Sequence, residues 1–540
     1  MAGDMKQELK HYYEIVKNFR LEVPEKFSFP LDVFDRWGNR LALIWTDGEE
    51  VKKFTFEELT RLSSKLAGGL KGKGIKKGDK VMLFLPSVVE WWISVLAFMR
   101  IGAVIIPATT LLTSHDLEYR FSVADIKAVI TDNENAPKVE EAVNKTGKDM
   151  LLICVNERQG WENFYELLKA DAFVGERFAP DDPCFIFFTS GTTGLPKMVL
   201  HTQVSYPLAH VITGKFWLNL KPGSIHWNLS DTGWAKAAWS SLFGPWNMGA
   251  TVFVRERGKK FSPQIMIETL KKFEITNFCA PPTVYRMLIK EIPLKELSFP
   301  TVKHFVSAGE PLNPEVIDVW KEATGEYIYN GYGQTETINT IAMFRFIPMR
   351  KGAMGFPSPG FVIDIVDDEG RPVKPYEDGH IAIRVKPERP VGLFKEYIND
   401  EKEMAAAFKG DWYFTRDRGY KDEDGYFWFL GREDDIIISS GYRISPFEVE
   451  SALIKHPAVK ESAVVASPDE VRGEVVKAFI VLKGGYEPSE ELKKELQEFV
   501  KQETAPYKYP RKIEFVEELP KTISGKIKRK ELRLKEFGKL

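Results

Sequence analysis

The sequence has little net charge and few cysteines. Its 540 residues include 75 Lys and Arg against 77 Asp and Glu, for a net charge of −2. A nucleic-acid-binding protein needs a concentrated excess of Lys and Arg to contact phosphates, so this balance argues against one. The three cysteines, Cys154, Cys184 and Cys279, fit neither a disulfide framework nor the spacing of metal ligands. We expect buried thiols in a reducing compartment.

The sequence also lacks an uninterrupted apolar span of membrane length, and we expect no targeting segment. Its first 20 residues are mixed in charge and contain no apolar core, so neither secretion nor organelle import is indicated. The uncharged run from Ala237 to Val254 has membrane length, but serines, glycines, a proline and an asparagine interrupt it. We predict a buried helix, a turn and a strand there, no membrane span, and a cytoplasmic location.

Short runs of β-branched and aromatic residues alternate with apolar segments of helical length through the first 350 residues. The runs lie at 80–86, 127–131, 184–189, 250–254 and 304–308, and the helical segments include 88–101 and 263–274. This alternation predicts an α/β fold with parallel sheets covered by helices. A chain of this length suggests two or three domains.

The pattern changes twice in the second half of the chain. From about 355 to 430, short strands and polar turns predict a small β-barrel-like subdomain. A new α/β pattern begins after Gly431-Arg432. We therefore predict an N-terminal domain at 1–432, which includes that subdomain, and a C-terminal domain at 433–540.

One segment between two apolar runs is suited to binding a polyphosphate. Hydroxyls, glycines and one lysine in a tight loop supply backbone N–H groups, small side chains and a cation. It differs from the nucleotide loop Gly-x-x-x-x-Gly-Lys-Ser/Thr, because Met198 follows the lysine, and kinases or GTPases of that class are disfavoured. The alternative is an ordinary polar turn. The segment comprises Thr189, Ser190, Gly191, Thr192, Thr193, Gly194, Leu195, Pro196 and Lys197.

Four further segments follow in order, and together the five resemble the adenylate-forming superfamily of acyl-CoA synthetases, luciferases and peptide-synthetase adenylation domains. The resemblance extends from about residue 30 to about residue 530 and is greatest to medium-chain acyl-CoA synthetases. It implies two helix-flanked sheets and a β-barrel-like subdomain in a large N-terminal domain, with a small mobile C-terminal α/β domain. The segments are Ser307–Pro311, Tyr332–Glu336, Thr415–Asp417 with Gly431-Arg432, and Pro520–Lys526.

Adenylation brings a carboxylate against the α-phosphate of ATP. Two unit charges about 4 Å apart repel by about 4 kcal/mol at an effective dielectric constant of about 20, so cations must offset the repulsion. Lys526 resembles the family's lysine that bridges the two anions; the alternative is a surface lysine in a basic tail. Glu336 resembles the Mg²⁺ ligand, an oxygen suited to a hard cation shared with phosphates; the alternative is a solvated loop carboxylate.

The resemblance also implies a binding site for the nucleoside. Asp417 resembles the residue that accepts hydrogen bonds from both ribose hydroxyls, with Arg432 nearby, although Asp417 could instead pair with Arg416 or Arg418. The segment Gly309-Glu310-Pro311 and Tyr332 resemble the adenine slot; a structural turn at a strand end is the alternative for the first three. The other nucleotide contacts that the resemblance implies are Gly331, Gly333, Gln334, Thr335 and Arg443.

The second half-reaction needs a thiol to reach the carbon that the phosphate has just left. Because Lys526 and a pantetheine arm cannot occupy the same place, the C-terminal domain has a physical reason to move. The family rotates this domain about a hinge that corresponds to Asp434. The resemblance implies that Ser440, Gly441 and Tyr442 line the pantetheine path, which a plain β-turn would also explain, and leaves Arg443 between this path and a phosphate. The implied contacts of the coenzyme A nucleotide are Arg472, Arg511 and Arg120, for which a solvated surface charge is a close alternative.

The acceptor and the acid are less closely defined by the sequence. The chain ends 14 residues after Lys526, which leaves no room for a carrier domain and favours coenzyme A. An aryl-acid or amino-acid activating enzyme with a separate carrier partner is the first alternative. A catalytically silent scaffold is the second, and the presence of Lys526 and Glu336 disfavours it. The sequence leaves both a monomer and a homodimer open.

The acyl pocket is predicted from Trp234, Trp239 and Gly333. We expect Ser230 or Asp231 to cap a helix on which Trp234 and Ala238 share a face, although both tryptophans could be core aromatics. Acetyl-CoA synthetases carry a tryptophan at the position of Gly333, so the pocket should extend further here. Each added buried methylene contributes about 0.8 kcal/mol. We therefore predict a medium-chain, branched or aryl acid.

Overall fold

The structure is a computed structural model that describes residues 7–189, 196–256, 262–439, 442–469, 472–504, 506–522 and 526–538. The chain divides into two compact units, Met1–Val362 with Val385–Ala406, and Ile363–Arg384 with Ala407–Leu540. Both units contain sheets and helices, as the alternating sequence pattern predicts. The finer division at residues 432 and 433 stays a prediction.

The first unit contains a nine-stranded sheet that is parallel through its centre. Its strands begin at the apolar runs of the sequence, and helices such as Pro263–Lys272 and Pro282–Glu291 follow them. The aromatic residues of the strands pack with those helices around Trp320 and Tyr285 to form one core. In spatial order the strands are Phe356–Pro357, Ile341–Ala342, Ile328–Tyr332, His304–Ala308, Asn277–Cys279, Ile225–Asn228, Thr251–Arg255, Leu41–Thr46 and Val51–Thr55.

The first unit also contains an eight-stranded sheet with its own core. The helix Val89–Ile101 is buried along most of its length, which explains why its sequence is apolar on every side. Thr113 begins the helix Ser114–Ala124 with a capping box to Asp116. In spatial order the strands are Glu396–Tyr397, Lys197–Thr202, Pro183–Thr189, Val104–Pro107, Lys80–Phe84, Ile126–Thr131, Leu151–Cys154 and Glu162–Asn163.

Further helices complete the first unit. None of the helices in the described part of the chain has both the length and the apolar character to cross a membrane. All three cysteines are buried thiols. Further α-helices among the described residues of this unit are Lys10–Asn18, Phe56–Gly72, Ala136–Thr146, Phe164–Leu167, His210–Ile212, Ala235–Ala238, Gly244–Asn247, Pro314–Thr324 and Glu401–Ala407, the last of which ends in the second unit.

The second unit contains two five-stranded sheets. One comprises Ile363–Val366, Gly379–Arg384, Trp412–Lys421, Phe408–Lys409 and Phe427–Arg432, in the region of the predicted β-rich subdomain. The other comprises Tyr442–Ile444, Ile437–Ser439, Gly473–Leu482, Val459–Asp469 and Lys512–Phe515. The helices Pro446–Ile454 and Glu490–Glu503 pack on this second sheet through Leu453, Leu496 and Val500, and the helix Arg529–Glu536 contributes Leu532 to a separate small cluster.

Candidate active site

A β-hairpin positions both ends of the predicted phosphate loop. The strand Pro183–Thr189 pairs with the antiparallel strand Lys197–Thr202, and Thr189 lies opposite Lys197. The apolar residues of the two strands are buried in the eight-stranded sheet, which fixes these end residues. Six of the residues between them lie outside the described residues: Ser190, Gly191, Thr192, Thr193, Gly194 and Leu195.

Lys197 is held between an anion and an aromatic ring. Its Nζ forms an ion pair with Oε1 of Glu403, and only 12% of the lysine side chain and 11% of the glutamate side chain are exposed. The same Nζ lies 5.4 Å from the centre of the Tyr397 ring. The lysine charge is therefore fixed at the root of the loop by a carboxylate and by a cation–π contact.

Glu336 shares Tyr397 with Lys197. The Tyr397 hydroxyl donates a hydrogen bond of 2.9 Å to Oε1 of Glu336, and the N–H of Phe394 donates to the Glu336 carbonyl oxygen at 2.7 Å. The predicted phosphate-binding cation and the predicted Mg²⁺ ligand thus have one common support. Mg²⁺ in nucleotide sites often takes one or two carboxylates and completes its shell with phosphates and water. A single oriented carboxylate beside the phosphate loop fits that cation.

Two other predicted segments meet at the carboxyl edge of the nine-stranded sheet. Ala308 pairs with Gly331 on the neighbouring parallel strand, so the segments that follow these strands lie side by side. Gly309 has a φ of +100°, and a Cβ there would meet no heavy atom of the described residues within 4 Å. Only glycine takes this backbone conformation readily, and it leaves an open surface for a flat ligand.

Neighbouring side chains hold this edge in place. Glu310 accepts a hydrogen bond of 3.0 Å from the Thr283 hydroxyl, and Lys236 donates to the carbonyl oxygen of Ala308 at 2.8 Å. A Cβ at Gly331 would collide with the Trp217 ring. Pro311 follows Glu310 in the turn, and Tyr332 is half-buried at the end of its strand.

The segment that carries Glu336 is anchored from behind by buried side chains. The carbonyl oxygen of Thr335 accepts a hydrogen bond of 2.8 Å from Nε2 of His201, and the N–H of Gln334 donates to the Thr337 hydroxyl at 2.9 Å. Burial lowers the pKa of His201 to about 3, so its ring is neutral. Because a carbonyl oxygen only accepts, Nε2 of that neutral ring carries the proton.

The structure brings two of the three predicted acyl-pocket residues into contact. A Cβ at Gly333 would lie 2.5 Å from Cη2 of Trp239. Trp239 is 4% exposed, and its Nε1 donates a hydrogen bond of 2.7 Å to the Tyr206 hydroxyl. The third residue, Trp234, is half-buried and precedes the helix Ala235–Ala238 as its N-cap residue.

The predicted helix cap before Trp234 is wrong. Oδ1 of Asp231 accepts a hydrogen bond from the N–H of Gly233 and closes a turn that ends before the helix. Trp234 has an extended conformation (φ −105°, ψ 147°), so it does not share a helical face with Ala238. The Asp231 side chain bonds Gly233 within this turn and not the first turn of the helix, and Gly233 passes so close to the backbone of Thr109 that a Cβ there would collide with it.

In the second unit, Asp417 and Arg432 lie opposite each other on adjacent antiparallel strands. Nε of Arg432 is 3.8 Å from Oδ1 of Asp417, which is 5% exposed. Arg418, one of the alternative partners, forms an ion pair with Asp378 at 2.9 Å. The arginine and the carboxylate are therefore brought together as the sequence predicts, while their contact with a ribose stays a prediction.

Lys526 is exposed in the second unit, and its backbone is hydrogen-bonded to Thr522. Its N–H donates to the Thr522 hydroxyl at 3.1 Å, and the N–H of Thr522 donates back to the Lys526 carbonyl oxygen at 2.7 Å. Asp434 is exposed in the short helical turn Glu433–Asp435, and its carbonyl oxygen accepts a hydrogen bond from Arg533. The bridging and hinge roles of Lys526 and Asp434 stay predictions.

The residues predicted to contact coenzyme A belong to both units, and their role stays a prediction. Ser440 and Gly441, with the side chains of Tyr442 and Arg443, lie outside the described residues. Arg511 donates to the Tyr509 hydroxyl at 2.7 Å, and the N–H of Arg472 donates to Asp469 at 2.9 Å. In the first unit, the guanidinium of Arg120 lies 5.0 Å from the centre of the Phe188 ring, beside Thr189 at the start of the phosphate loop.

The sequence does not predict four side chains of this site: Tyr397, Glu403, His201 and Tyr206. Tyr397 contacts both Lys197 and Glu336, and Glu403 pairs with Lys197. His201 bonds the Thr335 carbonyl oxygen, and Tyr206 accepts a hydrogen bond from Trp239. Tyr397 and Glu403 are about 200 residues from Lys197 in the chain and belong to no motif. Tyr397 lies in the short strand Glu396–Tyr397, which pairs with the strand after the loop. That pairing joins distant parts of the chain, so the local sequence does not reveal it.

The chain is similar to known proteins over nearly its whole length. A family model described as AMP-binding enzyme matches residues 32–398, and one described as AMP-binding enzyme C-terminal domain matches 448–526. The mouse protein named acyl-coenzyme A synthetase ACSM3, mitochondrial, is 48% identical over 548 residues, covering 98% of this chain and 94% of its own. The human protein named acyl-coenzyme A synthetase ACSM5, mitochondrial, is 46% identical over 550 residues, covering 99% and 94%.

Solved structures share the fold. An anthranilate CoA ligase in complex with anthranoyl-AMP has a TM-score of 0.86 and 30% identity, covering 95% of this chain and 98% of its own. A benzoate CoA ligase from Burkholderia xenovorans has a TM-score of 0.83 and 28% identity, covering 94% and 100%. An acyl-CoA synthetase from Brucella canis has a TM-score of 0.75 and 33% identity, covering 98% and 99%. The α/β fold and the family resemblance read from the motifs are confirmed.

Proposed function

From the premise that this chain belongs to the AMP-binding enzyme family, we propose that it is an AMP-forming acyl-CoA synthetase. It joins a carboxylic acid to ATP, which gives acyl-AMP and pyrophosphate. It then transfers the acyl group to the thiol of coenzyme A and releases AMP. The observation that carries the proposal is that Lys197 and Glu336 both contact Tyr397, the lysine through the ring and the glutamate through the hydroxyl.

The polyphosphate is assigned to the loop that ends at Lys197. Its hydroxyls, backbone N–H groups and single cation offset the charge of the β- and γ-phosphates. Glu336 would hold Mg²⁺, which supplies a positive charge shared with those phosphates. The hydrogen bond from Tyr397 fixes the direction of the Glu336 carboxylate.

The nucleoside and the reacting carboxylate are assigned to the remaining motifs. Gly309, Glu310, Pro311 and Tyr332 form the adenine slot, and Asp417 with Arg432 receives the ribose. Lys526 neutralises the carboxylate and the α-phosphate as they approach each other. Replacement of Lys526 by the pantetheine arm needs a rotation of residues 433–540 about Asp434, and we include that rotation and this domain boundary in the proposal.

Coenzyme A is the proposed acceptor, with contacts from Ser440, Gly441, Tyr442, Arg472, Arg511 and Arg120, and with Arg443 shared between acceptor and phosphate. The acid is a medium-chain, branched or aryl acid that packs beside Trp239 and Gly333. A cytoplasmic location stays a prediction, since the two curated relatives described above carry the word mitochondrial in their names. A homodimer also stays open.

A panel of acids tests the activity. Acids from C2 to C12, straight, branched and aryl, are incubated with ATP, MgCl₂ and coenzyme A, and release of AMP is measured with and without coenzyme A. We expect AMP release that depends on coenzyme A, with a preference for acids longer than propionate. If no acid on the panel releases AMP in this way, the proposed function is wrong. Release of AMP only with a carrier protein would favour the alternative acceptor.

A further inference from the structure

Glu403 forms an ion pair with Lys197 in which both side chains are largely shielded from solvent. It lies in the first turn of the helix Glu401–Ala407, where its own N–H donates to Oδ1 of Asp400 at 3.0 Å. The N–H of Tyr397 donates to the sulfur of Met404 at 3.3 Å and ties the same turn to the strand before it. These bonds fix the backbone of the helical turn that carries Glu403, and so they help to position its carboxylate.

Because the Lys197–Glu403 pair is largely shielded from water, each charge needs the other to offset its lost hydration. Each side chain is exposed by less than one eighth. Removing a charge from water costs several kcal/mol unless an opposite charge and hydrogen bonds replace the water. Glu403 therefore supplies the anion that Lys197 needs when no phosphate is present.

The same lysine is the cation assigned to the polyphosphate. A phosphate oxygen that approaches Lys197 carries the same sign of charge as the Glu403 carboxylate and as the Glu336 carboxylate, which accepts a hydrogen bond from Tyr397. Like charges that approach the same cation repel each other in a partly desolvated site. Glu403 and phosphate are therefore competing partners of one ammonium group.

We propose that Glu403 is an internal anion that competes with pyrophosphate for Lys197. It holds the lysine when the site is empty, gives way to the phosphates when ATP binds, and takes the lysine back after adenylation so that pyrophosphate leaves. Glu403 is thus a positioning residue that tunes the affinity for the polyphosphate. This inference rests on the proposed function, because that function assigns Lys197 to the polyphosphate.

Calorimetric titration of the full chain with inorganic pyrophosphate tests the competition. Glu403→Gln keeps the shape of the side chain and removes its charge, so we expect pyrophosphate to bind about fivefold more tightly or better than to the wild type. Glu401→Gln removes the same charge from the same helix turn at an exposed position and should leave the affinity unchanged. Glu403→Asp withdraws the carboxylate by one methylene, and we expect an affinity between those of the wild type and Glu403→Gln.

Lys197→Met separates this competition from a general charge effect. The gain from Glu403→Gln should disappear when Lys197→Met is also present. Equal or weaker binding by Glu403→Gln and Glu403→Asp, a gain that persists without Lys197, or no pyrophosphate binding by any variant overturns the inference. Pyrophosphate binding needs no turnover. A wild type that forms no acyl-CoA but shows the expected binding differences would refute the proposed activity and leave this inference standing.

Discussion

Trp239 occupies the space that a side chain at position 333 would need. A Cβ at Gly333 would lie 2.5 Å from Cη2 of Trp239 and closer still to the carbonyl oxygen of Ile338. The tryptophan is buried and fixed by its hydrogen bond to Tyr206. The absence of a side chain at Gly333 therefore does not by itself lengthen the predicted acyl pocket, because the Trp239 ring fills part of the space that glycine leaves.

Trp239→Ala should change the chain length of the preferred acid. Removal of the ring opens the space beside Gly333, and each methylene that fills it adds up to about 0.8 kcal/mol of binding. We expect the ratio of kcat/KM for an eight-carbon acid to that for a four-carbon acid to rise about tenfold or more. Trp239→Phe keeps most of the ring and should change the ratio little. An unchanged ratio in Trp239→Ala would remove Trp239 from the pocket.

Gly333→Trp tests the contact between position 333 and Trp239 from the other side. A side chain at this position meets both the Trp239 ring and a backbone carbonyl oxygen that cannot move aside. We expect loss of activity with every acid, and not a simple conversion to an acetate-activating enzyme. Efficient activation of acetate by the variant would show that Trp239 moves freely.

Tyr397→Phe should weaken the response to Mg²⁺. The variant keeps the ring beside Lys197 but loses the hydroxyl that donates to Glu336. Loss of such an orienting bond typically costs tenfold or more in metal affinity, so the Mg²⁺ concentration for half-maximal adenylation should rise about tenfold. The measurement is a titration of pyrophosphate exchange with MgCl₂. Phe394→Leu changes the neighbouring ring without removing a donor and serves as control; an equal shift in both variants would contradict the role of the hydroxyl.

Lys526→Ala should abolish the first half-reaction and spare the second. Without the ammonium group, the repulsion between the carboxylate and the α-phosphate is no longer offset. We expect ATP–pyrophosphate exchange to fall by a factor of about 100 or more, while thioester formation from supplied acyl-adenylate continues. Lys530→Ala removes an exposed charge from the same basic segment and should behave as the wild type. Equal loss of both half-reactions would refute the bridging role.

The stability of the fold should fall at mildly acidic pH because of buried histidines. Burial lowers the pKa of His201 and His226 to about 3 and that of His304 to about 4. Histidine in an unfolded chain has a pKa of about 6.5. At pH values between the folded and unfolded pKa, these histidines are therefore protonated in the unfolded state and neutral in the folded state. The stability present above pH 6.5 is lost as the pH falls, by about 1.4 kcal/mol per pH unit for each histidine.

Denaturant unfolding at pH 7.5 and pH 5 measures this loss. His226→Leu removes one of the buried titrating groups and should reduce the difference in unfolding free energy between the two pH values. His115→Leu removes an exposed histidine and should leave that difference as in the wild type. If His226→Leu leaves the pH dependence unchanged, burial of its ring does not govern acid stability.

Much of the fold follows from local patterns. The apolar runs at 80–86, 184–189 and 304–308 become strands, because alternating helical and β-branched segments can bury their apolar faces only in covered sheets. Nine consecutive residues, 189–197, predict the phosphate loop, and its binding of phosphate stays a prediction. The predicted cap at Asp231 is wrong: its side chain closes a turn with Gly233, whose close approach to the backbone of Thr109 is a tertiary contact that no local pattern contains.

The sequence by itself determined the family, the α/β class and the residues of each motif, because these depend on residue type and spacing along one segment. Only the tertiary structure decided what surrounds those residues. It brought Tyr397 into contact with both Lys197 and Glu336, paired Glu403 with the lysine, and packed Trp239 against Gly333. Such pairings join residues far apart in the chain, and their energies come from burial and distance, which spacing along the sequence does not encode.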